Sequence, residues 1–433
     1  MQLELAGRVR LLIFLGCFVV FFASPVTTLS DSKFALLTAE SLLKNHTPSL
    51  NGFEIPGLDT LTLPARRALP RPELFYQLVR VRGQVLYVYP HGGSFLSLPF
   101  VATFDAFGVS PVRNGRIYDP MTEALLEKLL ASLLMAVTAS LFFEIGIRAQ
   151  LSVLWSVILA AGGALGSQIW SSASRTLWSQ SWEVLLTSYI VLLLLNADEK
   201  EVHSYWLGSL LAWGFFVRPT AAVSILAVTV YLWAFYRGAF AGYISVLLIW
   251  MLVFVLYWLK IFGQILPDYY RQGSFLELAR TGAVLPAILI SPSRGLLVFV
   301  PTISMVVYLV ARYWKAIDHR ITVLAIGIIC GNLLVVASYP IWWGGCSYGP
   351  RLLTGTIPWF VLLGALGCKC LAAERRRSTS LFGLGLSLLL VAIAINGWGA
   401  ISLTAALWNQ DVAINGRPEA IWNWRHPQFL AGL

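Results

Sequence analysis

The chain predicts an all-α, polytopic membrane protein, and three observations carry that reading. Its 433 residues are 58% hydrophobic and only 12% charged, against about 25% charged in soluble domains. The mean hydropathy is +0.73. Apolar runs close to the roughly 20 residues needed to cross a bilayer recur along its length. Eleven are predicted, at 11–29, 122–145, 150–169, 182–196, 204–217, 219–236, 240–262, 295–311, 321–338, 352–370 and 380–403. Two of these, 182–196 and 204–217, are short and are read as tilted or partly re-entrant. Together they make one membrane domain, 1–403, with a large first outer loop at 30–121 and a short outer tail at 404–433.

The first run follows Arg8 and Arg10 and has the layout of a signal peptide. No small-x-small cleavage site closes it, and Phe22 and Pro25 stand where one is needed, so it is read as a retained span. Orientation follows from the connections. Arg148, Arg237, the Arg312/Lys315/Arg320 group and the Lys369/Arg375/Arg376/Arg377 group alternate onto the same side as Arg8 and Arg10. The positive-inside rule makes that side cytoplasmic, which leaves 30–121, 170–181, 263–294, 339–351 and the tail outside.

A net charge of +10 invites a nucleic-acid reading. The charge is scattered between apolar runs rather than gathered on one basic domain, so an anionic membrane surface is the expected partner and nucleic acid is not. The five cysteines suggest no disulfide framework, and Cys368-x-Cys370 without a nearby histidine is a poor metal motif. No glycine-rich nucleotide loop precedes a helix, and no acid pairs stand at metal-binding spacing, so no cofactor and no metal are expected.

In the first outer loop, 32–44 predicts an amphipathic helix with Phe34, Leu36, Leu37, Ala39, Leu42 and Leu43 apolar, stopped by Asn45 and Pro48. The stretch 94–107 is apolar but too short to cross, which predicts an interfacial segment. Between them 51–83 is rich in Pro, Gly and Arg and predicts a surface loop. Asn45-His46-Thr47 matches a glycosylation sequon, relevant only in a eukaryotic secretory pathway.

Asp31 lies just past the first run, at the head of this loop. Two roles fit it: a general base at the outer membrane face, or an N-cap for the helix that follows. Arg175, Arg218, Arg294 and Arg351 fall at the outer ends of four separate runs, where guanidinium forks suit the phosphate of a lipid. Arg351 closes Trp342-Trp343-Gly344-Gly345-Cys346-Ser347-Tyr348-Gly349-Pro350-Arg351, whose glycines allow close backbone approach and whose Trp343 and Tyr348 offer stacking faces. Tyr87-Val88-Tyr89-Pro90-His91-Gly92-Gly93 has a similar make-up, with Tyr89 and His91 as lining candidates. Glu183 is expected to pair with Arg175, and Asp105 and Glu40 are reserve carboxylates.

These segments resemble the C-type superfamily of integral membrane glycosyltransferases, in particular the bacterial branch similar to protein O-mannosyltransferases and lipid A aminoarabinose transferases. The resemblance covers most of the chain: an acid after the first span (Asp31), two juxtamembrane helices, Tyr87 to Gly92, the run Arg175-Thr176-Leu177-Trp178-Ser179, Arg218-Pro219-Thr220, Ser291-Pro292-Ser293-Arg294-Gly295 and the Arg351 motif. It implies inverting transfer of a sugar from a polyprenyl-phosphate-linked donor to an acceptor hydroxyl on a lipid, glycan or protein, with Asp31 as base. Many relatives carry two adjacent acids where this chain has Asp31-Ser32, so a second carboxylate is vacant or supplied from elsewhere. A lipid-linked polysaccharide polymerase or ligase and a non-enzymatic transporter or flippase are the competing readings. The first would place its largest outer loop later in the chain. The second would carry a repeat and mid-membrane charges.

Overall fold

The computed structural model describes residues 2–58, 75–195, 203–271, 278–374 and 378–433. The chain starts with α1 (Gln2–Ala23) and passes into the segment predicted as the first outer loop. This holds α2 (Ala35–Asn45), a hairpin of β1 (Leu78–Val81) and β2 (Gln84–Tyr87), α3 (Gly92–Ala106), and a small ribbon of β3 (Val112–Arg113) and β4 (Ile117–Tyr118). The remaining helices are α4 (Pro120–Arg148), α5 (Val153–Ala164), α6 (Ser179–Leu195), α7 (Ser204–Val217), α8 (Ala221–Phe235), α9 (Arg237–Phe262), α10 (Asp268–Arg271), α11 (Leu278–Ile290), α12 (Leu296–Phe299), α13 (Thr302–Arg312), α14 (His319–Ser338), α15 (Ile357–Ala373), α16 (Ser378–Ile401) and α17 (Leu403–Asp411). Among the described residues, six helices are long and apolar enough to cross a membrane, and six shorter apolar helices accompany them. The molecule is an all-α membrane protein with two minor two-stranded ribbons.

Six of the eleven apolar runs read from the sequence lie on the helices long enough to cross, and the other five lie on shorter apolar helices; two further differences are physical. The run 295–311 is broken at Pro301, which cannot donate to the helix ladder. Val300 leaves helical geometry there (φ −131, ψ 66), and the stranded carbonyl of Phe299 accepts from Asn396 Nδ2 at 2.7 Å. The second difference is α11, which lies in the predicted outer loop 263–294 and packs on α14. Its 13 residues, with Pro286 inside, are too short to signal a span. Its two flanks meet one end of the bundle: Tyr269 packs on Tyr89 and Arg294 bonds Gly345.

The bundle is polarised. At one end Arg10 and Arg148 share Glu144, Arg312 pairs with Glu374 and Lys369 bonds Gln150. Arg375, Arg376 and Arg377 lie outside the described residues. At the other end sit the outer segment and the loops that carry the candidate site.

That outer segment has a core of its own, made by Phe34, Leu37, Phe53, Phe75, Leu78, Tyr87 and Tyr118. The 51–83 surface-loop reading is therefore corrected within the described residues. Phe53 and Ile55 are buried, and the chain re-enters at Phe75 to form β1 and β2. Arg82 and Gly83 both have positive φ (51 and 80), the two-residue hairpin turn that matches strand twist. The reading of 59–74 lies outside the described residues. α2 belongs to both cores, since Phe34, Ala35 and Leu37 face the outer one while Leu36 and Ala39 face the bundle.

The N-terminus of α2 settles what Asp31 does not do. Its free amides are satisfied by Glu123 from α4: Phe34 N donates to Oε2 at 3.1 Å, and Leu36 N and Leu37 N donate to Oε1 at 3.0 Å. Tyr118 donates to the same carboxylate at 2.5 Å. Glu123 is fully buried, and a carboxylate that accepts several donors in that setting is costly to remove. Glu123→Ala is expected to destabilise the protein by about 3 kcal/mol, since three buried N–H groups lose their acceptor. Glu123→Gln, which keeps one acceptor oxygen, should cost less. Thermal unfolding in detergent checks this, and an Ala variant as stable as the parent would mean that water replaces the cap.

Candidate functional site

Asp31 sits where the chain leaves the first span, in a turn closed by Lys33 N to Ser30 O at 3.1 Å and Ala35 N to Ser32 O at 2.7 Å. With α2 capped by Glu123, its carboxylate faces the site instead. Oδ2 accepts both terminal nitrogens of Arg351 at 3.0 Å. Oδ1 accepts the phenols of Tyr76 at 3.0 Å and Tyr89 at 3.1 Å. Tyr87 donates to the Asp31 backbone carbonyl at 2.5 Å. Burial, reinforced by the Asp31 charge, pushes the Tyr76 and Tyr89 phenols up, so both stay protonated and donate. The side chain keeps 29% exposure, so an incoming hydroxyl can approach it by displacing one of the four donors to its carboxylate.

Arg351 is oriented from its other face. Its guanidinium lies 4.1 Å from the Trp178 ring centroid, a stacking geometry suited to a planar cation. Trp178 is itself fixed by its indole N–H on Ser30 Oγ at 3.1 Å. The buried Nε of Arg351 has no hydrogen-bond partner among the described residues.

A second buried glutamate on α4 holds this arrangement together. Glu127 lies one turn after Glu123 and accepts Thr176 Oγ1 at 2.6 Å and Leu177 N at 3.3 Å, while Ser32 and Thr176 share a hydrogen bond of 2.9 Å. Glu123 thus seats the segment after Asp31, and Glu127 seats the segment before Trp178. Neither glutamate was picked out from the sequence. Two acids spaced i, i+4 at the start of an apolar run are the signal that could have found them, because ionisable groups in a span are rarely idle.

The structure distributes the other predicted residues differently from one another. Arg218 is buried and adjoins the site. It pairs with Glu183 at 3.2 Å and reaches toward Leu352 O at 3.4 Å, and its charge acts with those of Asp31 and Arg351 on Tyr269. The expected Glu183–Arg175 pair is corrected to Glu183–Arg218. Thr220 completes it at 2.9 Å, and Gly355 allows the approach, since a Cβ there would lie 2.7 Å from the Glu183 carboxyl carbon.

Arg175 is instead a clamp on the end of α1, donating to the carbonyls of Phe21 and Ser24 and to Ser174 Oγ. Arg294 is fully buried, and each of its nitrogens is engaged: Trp343 O at 2.7 Å, Ser293 O and Gln428 Oε1 at 2.6 Å, Gly345 O at 3.2 Å and Asn409 Oδ1 at 2.5 Å. Burial pulls its guanidinium down to about 9, which still leaves it charged at neutral pH. These two arginines spend their donors on protein, so neither is brought to Asp31.

Among the aromatic candidates, Tyr89 is in the site and the others support it from a distance. His91 is buried between Tyr257 Oη at 2.5 Å and the Tyr87 carbonyl at 2.9 Å. Burial pushes its imidazole down to about 4, so it is a neutral strut behind Tyr87. Trp343 donates to Asn415 at 3.1 Å. Tyr348 is buried, donates to Ile395 O at 2.8 Å and packs edge-on to Phe299. The reserve acids Glu40 and Asp105 both bind Lys44 in the last turn of α2, and Glu40 stands about 8 Å of helical rise past the start of that helix. Tyr76 was missed in the sequence; it is a lone tyrosine beside a loop and carries no local signal.

No family model matches the chain, and no curated protein matches it.

Proposed function

We propose that the protein is a membrane glycosyltransferase that moves a sugar from a polyprenyl-phosphate-linked donor to an acceptor hydroxyl at the outer face of a bacterial inner membrane. The observation that carries this reading is the meeting of Asp31 and Arg351, 320 residues apart in sequence, at the end of the bundle opposite its basic belt. Such transfer needs a base for the acceptor proton and a cation for the departing phosphate, side by side at membrane depth. In the proposed reaction Asp31 takes the proton from the hydroxyl and the freed oxygen bonds to the anomeric carbon. The bond from that carbon to the phosphate oxygen breaks, and the phosphate leaves with the electron pair toward Arg351. The Arg351 guanidinium, 11% exposed, is the cation beside Asp31 toward which the phosphate departs, with the Arg218–Glu183 pair nearby.

The resemblance of the sequence segments around Asp31 and Arg351 to those of C-type glycosyltransferases points the same way. The donor's hydrocarbon tail, which cannot leave the bilayer, accounts for a site at its edge. The deciding experiment is transfer from a polyprenyl-phosphate-linked sugar in proteoliposomes, comparing the parent with Asp31→Asn.

This reading requires a cytoplasmic N-terminus. In a chain whose exposed Cys330 and Cys346 are replaced, a cysteine at Asn114 should react with an impermeant thiol reagent in intact spheroplasts and one at Lys315 should not; both positions are exposed. The reverse labelling pattern would put the site on the cytoplasmic face and end the proposal.

A further inference from the structure

We infer that residues 402–433 form a wall of the candidate site rather than a tail, and that Gln428 is a positioning residue for Arg351. The segment folds back after α16. Ser402 caps α17, with its hydroxyl accepting Ala405 N at 3.2 Å, and the chain returns to the loop 342–351 through Asn409, Asn415 and Gln428.

Gln428 is fully buried, and its amide is used to capacity. Its oxygen accepts Arg294 at 2.6 Å and Gly349 N at 3.0 Å. Its nitrogen donates to Ser347 O at 3.1 Å and Ala405 O at 3.3 Å. Asn409 repeats the motif, accepting Arg294 at 2.5 Å and donating to Ser347 O at 3.0 Å. A buried amide with all four sites satisfied specifies one geometry, because any shift leaves a polar group without a partner.

What it specifies is the turn that aims Arg351. Gly344, Gly345 and Gly349 all have positive φ (76, 63 and 60), so this loop has backbone freedom that must be removed from outside. Gln428 holds Gly349 N, and Gly349 O holds Arg351 N at 3.0 Å. From there the Arg351 fork reaches Asp31. The buried Arg294, unavailable to a ligand, is the hub that joins loop and returning segment: it bonds Trp343 O and Gly345 O on one side and Asn409 and Gln428 on the other.

The lipid-phosphate arm of this inference rests on the proposed function, so its test has two readouts on the full-length chain. One is hydrogen exchange of the backbone amides of 343–351; the other is binding of undecaprenyl phosphate in nanodiscs. Gln428→Leu should speed exchange about tenfold, as lost local protection does, and weaken binding about tenfold. Gln428→Glu keeps the acceptor for Gly349 and Arg294 but loses the two donors to Ser347 O and Ala405 O, so both readouts should fall between the parent and Gln428→Leu. Asn396→Leu removes a buried amide whose hydrogen bonds go to Phe299 O, Ala392 O and Ser171, none of them to the loop. At a matched loss of thermal stability it should leave both readouts unchanged.

Unchanged exchange in Gln428→Leu overturns the inference, as does faster exchange with parental binding. An equal loss in Asn396→Leu reduces Gln428 to general stability. If the parent binds no undecaprenyl phosphate, the proposed function fails on that result. The wall is then decided by exchange alone, with a Gln428-specific rise supporting it and no rise overturning it.

Discussion

Asp31→Asn is expected to fold and bind donor like the parent but to transfer sugar about 10² to 10⁴ times more slowly, the usual cost of losing a general base. The substitution is mild for the structure because asparagine can keep every contact. Its oxygen can accept the Arg351 fork, and its amide can donate to the Tyr76 and Tyr89 oxygens, which currently donate to the carboxylate. Only the charge is lost, at an expected stability cost of about 1 to 2 kcal/mol for a charged hydrogen bond made neutral. Helix capping does not enter, since Glu123 caps α2. Thermal unfolding and donor binding establish the matched state, and single-turnover transfer then reads the chemistry. Transfer at the parental rate would show that Asp31 only steadies Arg351, leaving the base elsewhere.

Arg351→Lys should lower transfer by about 10², the range seen when one donor to a developing oxyanion is removed. Charge is preserved, so a purely electrostatic role would leave the rate near normal. A lysine has no planar fork to place two N–H groups on Asp31 Oδ2 while lying against Trp178 at 4.1 Å, and it has no counterpart of the buried Nε–H. Arg417→Lys, at an exposed position of the returning segment, is the control and should be silent. Equal rates for the two variants would make Arg351 a membrane anchor and remove the phosphate from the proposed mechanism.

The membrane architecture was legible because hydropathy reports the solvent directly: an apolar run of sufficient length has few other uses. Pro301 marks the break in the run 295–311. The helix α11 was hidden because 13 residues interrupted by a proline resemble a loop. The hairpin was within reach, since Leu78, Arg80, Val85 and Tyr87 alternate about Arg82-Gly83 and a glycine in a two-residue turn is a hairpin signal.

At the site, Asp31 and Arg351 stood out by type and by position at span ends, and Tyr89 by the aromatic and glycine make-up of its segment. Their being together, rather than with Arg175 or Arg294, depended on which donors the protein itself consumes. That is a three-dimensional accounting no local pattern encodes. Arg175 and Arg294 have the same sequence profile as Arg351, an arginine at an outer span end, yet their nitrogens end on backbone carbonyls and buried amides. Glu123 and Glu127 did carry a sequence signal, two acids one turn apart at the edge of an otherwise apolar run, but what each of them holds is set by the fold.

The 320 residues between Asp31 and Arg351 also order events during synthesis. At about 5 to 20 residues per second, Arg351 is made roughly 16 to 64 s after Asp31. Throughout that interval the nascent chain displays a carboxylate with no counterion. The ion pair closes only after the helices between them have been made, and Gln428 arrives later still. A half-inserted chain therefore holds no assembled centre.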